Sequence, residues 1–433
     1  MNSQITTFIE HFNFFMFLLF AILYLYQMVY MVIAFKAKRT REVETKNSHL
    51  NKFGVIIAAR NEEVVIGQLI NSINAQNYPK ELIDIFVVAD NCTDQTALVA
   101  KNAGAIVNER FNTEQVGKGY ALDFMLKFID KEFSHKTYDG FLVLDADNLL
   151  DRNYILEMNK TFNDGYRVIT SYRNSKNYDQ NWISAGYGLW FLHEAEYLNL
   201  PRMKLKNSCA ISGTGFLVKS DIFKENGGWV HHLLTEDIEF SVAQILKGEK
   251  IGYCRNAVLY DEQPITFKQS WHQRLRWAKG FYQVFSNYGK RLIGGILSKK
   301  GNRFSCYDMA MTLLPAMLIT CFSIAVNSSF YLAAILGMID EKEIIFVTTM
   351  SIIKAFLWYY CILLILGIMT TITEWNRIHS SSWKKIMYSF TFPIFMFTYI
   401  PIAIVALFKK VEWKPIPHTV AKSIEDVLEN VKN

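Results

Sequence analysis

Long apolar stretches occupy the two ends of the chain, and a more polar, punctuated region lies between them. Residues 12–35 (FNFFMFLLFAILYLYQMVYMVIAF) carry no charge. At about 1.5 Å per residue, a helix of that length crosses the roughly 30 Å hydrocarbon core of a bilayer. Three further apolar stretches follow at 307–338, 344–372 and 386–408. In the middle, short apolar runs at 53–60 (FGVIIAAR), 83–88 (IDIFVV), 105–109 (AIVNE) and 141–144 (FLVL) read as strands. Between them, 64–77 carries Val65, Leu69, Ile70 and Ile73 at helical spacing, and 94–103 and about 117–131 also read as helices. This alternation predicts an α/β domain with a mostly parallel sheet. Ligands of such sheets bind beyond the carboxyl ends of the strands. The polar groups fall there: Arg60-Asn61-Glu62, Asp90, and Asp145 with Asp147.

The charges flanking the apolar runs set an expected orientation. Glu10 precedes the first run, and Lys36, Lys38, Arg39 and Arg41 follow it. A secretory signal would have a basic flank before a shorter run and a cleavage site of small residues. The pattern instead predicts a membrane span with its N-terminus outside and residue 36 onward in the cytoplasm. Asp340-Glu341-Lys342-Glu343 then reads as outside, and the basic segment from Trp375-Asn376-Arg377 to Lys384-Lys385 as inside. Lys409-Lys410 also calls for the inside, although a third crossing would leave it outside. A hairpin or re-entrant pair around Asn327-Ser328-Ser329 would restore the parity. The expected organisation is 1–45 with the first span, 46–260 the cytosolic α/β domain, 261–300 interfacial helices, 301–410 membrane helices, and 411–433 a short cytoplasmic tail.

Composition narrows the classes. Hydrophobic residues make up 51% of the 433 residues and charged residues 20%, which excludes intrinsic disorder. The net charge of +6 fits basic residues beside membrane segments. No basic stripe interleaved with aromatics marks the middle, so no nucleic-acid partner is expected. The six cysteines (92, 209, 254, 306, 321 and 361) form no CxxC and fit no zinc spacing.

Candidate chemistry follows from residue type and place. Asp145 and Asp147 flank one small residue just after a buried strand. Both carboxylates can reach one divalent ion, and an all-oxygen site suits Mg2+ or Mn2+ rather than zinc. A metal there would neutralise a diphosphate leaving group, whereas helix-capping aspartates would be spelled the same way. Lys118 sits at a predicted helix start, where N–H groups and an ammonium would hold phosphate; a solvated surface lysine is the bland alternative. Within Thr235-Glu236-Asp237 a carboxylate could deprotonate a hydroxyl acceptor. The same residues also suit a helix N-cap and an acidic first turn. In WHQRLRWAKG (271–280), Gln273, Arg276 and Trp277 share one helix face. The surrounding stretch, Phe267 to Ile296, mixes aromatics with Lys and Arg and suits a helix on the membrane surface, its Trp and Arg being catalytic parts or mere anchors.

The ordered set AARNEE (58–63), VVADNCTD (87–94), GKGYAL (117–122), LDADN (144–148), ISGTGF (211–216), TED (235–237) and QRLRW (273–277) resembles the processive family 2 glycosyltransferases. Their signature is D, DxD, (T/E)ED and QxxRW, and they include cellulose, chitin, hyaluronan and poly-N-acetylglucosamine synthases. The resemblance implies a cytosolic GT-A, Rossmann-like domain held between transmembrane and interfacial helices. It implies a donor site of Ala58, Arg60, Glu62, Asp90, Lys118 and Asp145, and a Mg2+ or Mn2+ ion on Asp147 and Asp145. Gly213, Thr214 and Gly215 would line the acceptor side. Asp237, with Glu236, would supply the base, and Gln273, Arg276 and Trp277 would close over the diphosphate. The implied reaction is an inverting displacement giving β-linked product from a UDP-sugar, UDP-glucose before UDP-N-acetylglucosamine, with the growing polysaccharide leaving through the membrane helices. The bilayer is the implied setting, with accessory export or cell-envelope proteins as partners. TED with QRLRW looks more like cellulose and poly-N-acetylglucosamine synthases than hyaluronan synthases, ISGTG departs from the cysteine-containing motif of cellulose synthases, and Cys92 stands where Ser is frequent. WKPIPH (413–418) resembles a short post-membrane tail in related synthases, with too few residues beyond it for a cyclic-di-GMP domain. Two alternatives remain: a membrane enzyme adding one sugar to a lipid, and a transporter or scaffold with an inert α/β domain. The latter is disfavoured because Lys354 alone interrupts an apolar stretch.

Overall fold

The computed structural model describes residues 2–39, 49–298, 302–313, 315–337 and 341–429. Arg41 and Asp340, used above for orientation, lie outside the described residues, as do the side chains of Lys38, Arg39 and Glu341. Helices α1 (Asn2–Tyr24) and α2 (Tyr26–Arg39) continue one another after a single turn residue, Leu25. The sheet domain then begins. Its strands are β1 (Phe53–Ala59), β2 (Ile83–Asp90), β3 (Ile106–Arg110), β4 (Gly140–Asp145), β5 (Leu149–Leu150), β6 (Val168–Ser175), β7 (Phe216–Lys219) and β8 (Ile251–Asp261). Their helices are α3 (Ile66–Asn74), α4 (Thr96–Asn102), α5 (Lys118–Glu132), α6 (Tyr154–Asn163), α7 (Trp182–His193), α8 (Leu200–Lys204), α9 (Ser220–Asn226) and α10 (Glu236–Lys247).

The strand order is β3-β2-β1-β4-β7-β6-β8-β5. β1 pairs in parallel with β2 and β4, and β2 with β3, as the strand–helix alternation predicts. β7 runs antiparallel between β4 and β6, so the sheet is mixed. Alternate residues of the parallel strands feed opposite faces. Ile56, Val88 and Val143 join Leu122, Met125 and Ile129 of α5 on one face. Val55, Ile57 and Leu144 join Leu69 and Ile70 of α3 on the other. Both faces are therefore covered, which is why these strands read as continuous apolar runs. Each such fully buried side chain contributes roughly 1.5–3 kcal/mol.

The remaining helices are α11 (Phe267–Leu297), α12 (Arg303–Leu313), α13 (Pro315–Ile335), α14 (Glu341–Thr373), α15 (Ser382–Phe397), α16 (Tyr399–Phe408) and α17 (Ile424–Glu429). Among the described residues, four segments are long and apolar enough to cross a membrane: Gln4–Ala37, Leu318–Ile335, Lys342–Thr373 and Ser382–Phe408. The interruption expected near Asn327 is not found. α13 runs unbroken through it, because the Asn327 amide exchanges two hydrogen bonds with Asn13 of α1, at 3.0 and 2.8 Å, and so needs no turn to satisfy it. The break falls instead at Thr398, between α15 and α16, five residues after Pro393. Proline removes a helical N–H and crowds the preceding turn. Arg274 of α11 donates to Phe395 O at 3.1 Å and to Thr398 Oγ1 at 2.6 Å, which fixes the broken turn.

Candidate active site

The carboxyl ends of β1, β2 and β4 open into a cavity of about 590 Å³. Ala58, Arg60, Glu62, Asp90, Lys118, Asp145 and Asp147 line it, together with Gly213, Glu236, Asp237, Gln273, Arg276 and Trp277. Of the expected acceptor-side residues only Gly213 lines it; Thr214 and Gly215 do not, the Thr214 hydroxyl being engaged by the Asp145 N–H and Asn148. The residues singled out from sequence are thus brought to one place.

Asp90 closes β2, is buried, and accepts from Arg110 Nη1 at 2.6 Å. After β1, Asn61 takes a left-handed φ of 58°, and its Oδ1 accepts the Thr93 N–H at 2.8 Å. This turn puts Glu62 into the cavity, its N–H held by Thr96 Oγ1 at 2.8 Å. Burial pushes the Glu62 carboxyl up to about 7, against the opposing pull of His418.

At the end of β4, Asp145 Oδ1 meets Lys118 Nζ in the first turn of α5. Asp147 is buried, and its Oδ2 accepts the Glu262 N–H at 2.7 Å. Burial opposes its charge, but His418, Lys176 and that N–H outweigh it and hold the carboxyl below its ordinary range. No group of three or more His, Cys, Asp or Glu side chains forms a metal cluster among the described residues. Two cavity-lining carboxylates nevertheless fit a hard ion of the Mg2+ type, which takes one or two protein carboxylates and fills its shell with substrate phosphates and water.

One chain of contacts joins the two acidic motifs. Lys118 Nζ, paired with Asp145, also donates to Gly213 O at 2.8 Å. The Gly213 N–H donates to Asp237 Oδ2 at 2.6 Å. Thr214 Oγ1 accepts the Asp145 N–H at 2.8 Å and donates to Asn148 Oδ1 at 2.6 Å. Gly215 has φ of 68°, and a Cβ there would stand 1.9 Å from Leu259 Cδ2, so β7 can enter the sheet only through glycine. Burial, then Asp237, pushes Glu236 up to about 7. Asp237 is itself raised by burial, against the Ile238 N–H and Lys118.

Thr235 occupies the N-cap position, but its hydroxyl caps nothing and is buried without a hydrogen-bond partner. The acidic first turn of α10 is present all the same. Thr235 packs against Gly280, where a Cβ would lie 2.5 Å from its side chain, and this contact lets α11 seat directly on the acidic turn. On α11, Trp277 meets Tyr187 and Phe191 of α7 at 5.8 and 6.3 Å between ring centroids. Gln273 Oε1 is buried with no partner. Arg276 forms no ion pair with a carboxylate among the described residues.

Three features went unassigned in the sequence. The segment after α16 folds back over the carboxyl end of β1: Trp413 lies 5.5 Å from the Arg60 guanidinium, and His418 Nδ1 sits 2.8 Å from Glu62 Oε1. Burial works against the His418 charge, but Asp147 and Glu62 push it up to about 10. The cluster of aromatic, basic and proline residues in WKPIPH was the available signal. Glu194 also faces the cavity, from a π-helical turn after α7, and accepts from Ser212 Oγ at 3.2 Å. Such turns recur at functional sites. Arg274 is the third; only the break it clamps reveals its place.

A family model described as glycosyltransferase-like family 2 matches residues 51–280. A probable glycosyltransferase, YdaM, of Bacillus subtilis is 28% identical over 259 residues, 53% of this chain and 55% of that protein. A beta-monoglucosyldiacylglycerol synthase of Synechocystis is 25% identical over 249 residues, covering 54% and 48%. A poly-beta-1,6-N-acetyl-D-glucosamine synthase of Staphylococcus epidermidis is 24% identical over 252 residues, covering 57% and 58%. The chain thus spans about half the length of these curated relatives. Among solved structures, the mannosyltransferase PcManGT of Pyrobaculum calidifontis, in complex with GDP-Man and Mn2+, matches with a TM-score of 0.58 at 16% identity. The match covers 92% of this chain and 99% of that one, so the two share the GT-A-like fold.

Proposed function

The chain belongs to glycosyltransferase family 2, and from that premise we propose that it is a membrane-associated, inverting enzyme that moves a hexose from a UDP-sugar to an acceptor hydroxyl. The observation that carries this reading is the relay Asp145–Lys118–Gly213–Asp237, which ties a donor-side carboxylate to an acceptor-side one across a single cavity. Asp90, Ala58, Arg60 and Glu62 take the nucleoside end of the donor. Lys118 and the N-terminus of α5 take the diphosphate. Asp147, with Asp145, holds Mg2+ or Mn2+, which supplies charge neutralisation to the leaving diphosphate when bound. Gln273, Arg276 and Trp277 close the site, Arg276 offering a planar fork to phosphate. Gly213, Thr214 and Gly215 shape the acceptor side.

Asp237 takes the proton of the attacking hydroxyl. Its raised affinity for protons suits a base working near neutral pH. Attack opposite the diphosphate inverts the anomeric carbon, so an α-linked donor gives a β-linked product. UDP-glucose is the favoured donor, with UDP-N-acetylglucosamine second. The sheet domain lies on the cytoplasmic side, following the basic flank after the first span. The resemblance to β-polysaccharide synthases supports a growing chain as acceptor, and the lipid-glucosylating relative supports a lipid. Calorimetry with UDP, in the presence and absence of Mn2+, and release of UDP from radiolabelled UDP-glucose by the purified protein test the core of the proposal. Absence of both would refute it.

A further inference from the structure

The cavity does not end at the carboxylates. It continues between the candidate membrane helices, where Phe20, Cys321, Tyr359, Leu363, Phe397 and Ile400 line it. This arm offers mainly aromatic and aliphatic surface, and the Thr312 and Thr320 hydroxyls beside it donate to Asp308 O and Ala316 O at 2.9 and 2.8 Å. The Tyr24 hydroxyl accepts the Ala316 N–H at 3.1 Å and donates to Met311 O at 2.8 Å, so backbone groups at the α12–α13 junction engage it. Tyr359 presents its ring to Phe20 edge-on, 5.6 Å between centroids. A sugar polymer threading this arm would strand several hydroxyls per residue against apolar walls, and each buried hydroxyl needs a partner. An acyl chain needs none.

The junction between the arm and the catalytic carboxylates carries a second constraint. Arg202 is matched by Asp308, with Nε–Oδ2 at 2.7 Å and Nη2–Oδ1 at 2.9 Å. Arg173 is matched by Asp261, and Lys118 by Asp145. Arg276 also lines the cavity and acts on Glu236, but in this reading the donor diphosphate takes it up, which leaves Glu194, Glu236 and Asp237 as the charged groups facing an acceptor. An acceptor carrying a phosphate beside its hydroxyl would meet these acids, whereas an uncharged head group would not.

We propose that the acceptor is a neutral membrane lipid with a free hydroxyl, its chains lying in the arm between α1, α13, α14 and α16 and its hydroxyl reaching Asp237. The proposal rests on the glycosyltransferase reading and adds the acceptor to it. The hydroxyl oxygen forms the new bond to the anomeric carbon, the bond to the diphosphate breaks with its electron pair, the proton passes to Asp237, and UDP leaves.

The test places the full chain in phosphatidylcholine nanodiscs, alone, with diacylglycerol, or with polyprenyl phosphate, and supplies radiolabelled UDP-glucose and UDP-N-acetylglucosamine. Label in an organic-extractable, acid-stable product that requires diacylglycerol supports the proposal. In that event Cys321→Trp, which fills the arm, should lower lipid transfer ~100-fold, since small misplacements of an acceptor are costly, with UDP affinity reporting that the fold stands. Ile352→Trp, the same added bulk on α14 but outside the cavity lining, should transfer normally. Label in a polyprenyl-linked sugar or in a water-soluble product of high mass would overturn the lipid assignment, as would donor binding without any transfer to diacylglycerol. Failure of the unaltered protein to bind UDP at all would instead overturn the underlying reading.

Discussion

Replacing Asp237 by Asn isolates proton abstraction from folding and donor binding. The side chain keeps its shape, and the amide oxygen can still accept the Gly213 N–H that now reaches Oδ2 at 2.6 Å. That bond loses its charge assistance, worth about 1 kcal/mol, while the cost of burying a carboxylate disappears. Thermal stability should therefore change by no more than ~1 kcal/mol in either direction. Catalysis should not be spared. A positioned base contributes roughly 10²–10⁴-fold, or about 2.7–5.5 kcal/mol of transition-state stabilisation. Neighbouring Glu236 is also raised, to about 7, but it lacks the Gly213 contact, so Glu236→Gln should be the milder change. The assay is release of UDP under single-turnover conditions, with UDP affinity measured on the same preparation. Turnover within threefold of the unaltered enzyme would refute the base assignment. Collapse of UDP affinity would move Asp237 to the donor site.

Three further outcomes follow from the geometry. The base works only as carboxylate, and burial raises Asp237 above the ordinary aspartate range, so turnover should be full at high pH and be lost, as pH falls, before an ordinary aspartate would protonate; a profile that stays flat down to about pH 4, the ordinary aspartate value, would contradict this. Asp147→Ala should abolish divalent-ion dependence together with transfer, and retained Mn2+ stimulation would remove Asp147 from the metal site. Arg276→Lys and Trp277→Phe should each lose at least ~10-fold, about 1.4 kcal/mol, because Lys has no planar fork and Phe no indole N–H, whereas Trp271→Phe and Trp182→Phe, away from the cavity, should be much milder; equal small losses at all four would mark α11 as an anchor only.

The parts of the site visible in the sequence are those that local rules place. β1, β2 and β4 are buried on both faces, so they read as apolar runs, and the residues that end them fall at the sheet's carboxyl edge. The parts that stayed hidden depend on pairs far apart in the chain. Glu62 and His418 are 356 positions apart, so no periodicity connects them. β7 starts just after Gly215, whose positive φ and close approach to Leu259 call for glycine, and a lone glycine in ISGTGF does not announce its neighbour. Thr235 looked like a cap because Thr before two acids usually is one. Here α11 presses Gly280 onto it, and packing overrides the local preference.

The same distant contacts bear on how the last apolar stretch sits in the membrane. By length and composition Ser382–Phe408 qualifies as a crossing. α15, with 16 residues, is about 24 Å long and α16, with 10, about 15 Å, so neither alone spans a core of roughly 30 Å. Both ends of the pair touch the sheet domain. Lys384 Nζ donates to Asp179 O at 2.9 Å before the break, and Trp413 lies 5.5 Å from the Arg60 guanidinium after it. Arg274 holds the turn between them from α11. A segment that starts and finishes against one domain would enter the bilayer and return, which would bring Lys409-Lys410 to the side that their charge calls for and restore the parity lost by simple alternation. In a Cys361→Ser background, Lys409→Cys should react with an impermeant maleimide only after the cells are permeabilised, in step with Lys52→Cys at the foot of β1. Labelling of position 409 in intact cells, with position 52 still protected, would make Ser382–Phe408 a full crossing and would be incompatible with the tail lying over Arg60 and Glu62.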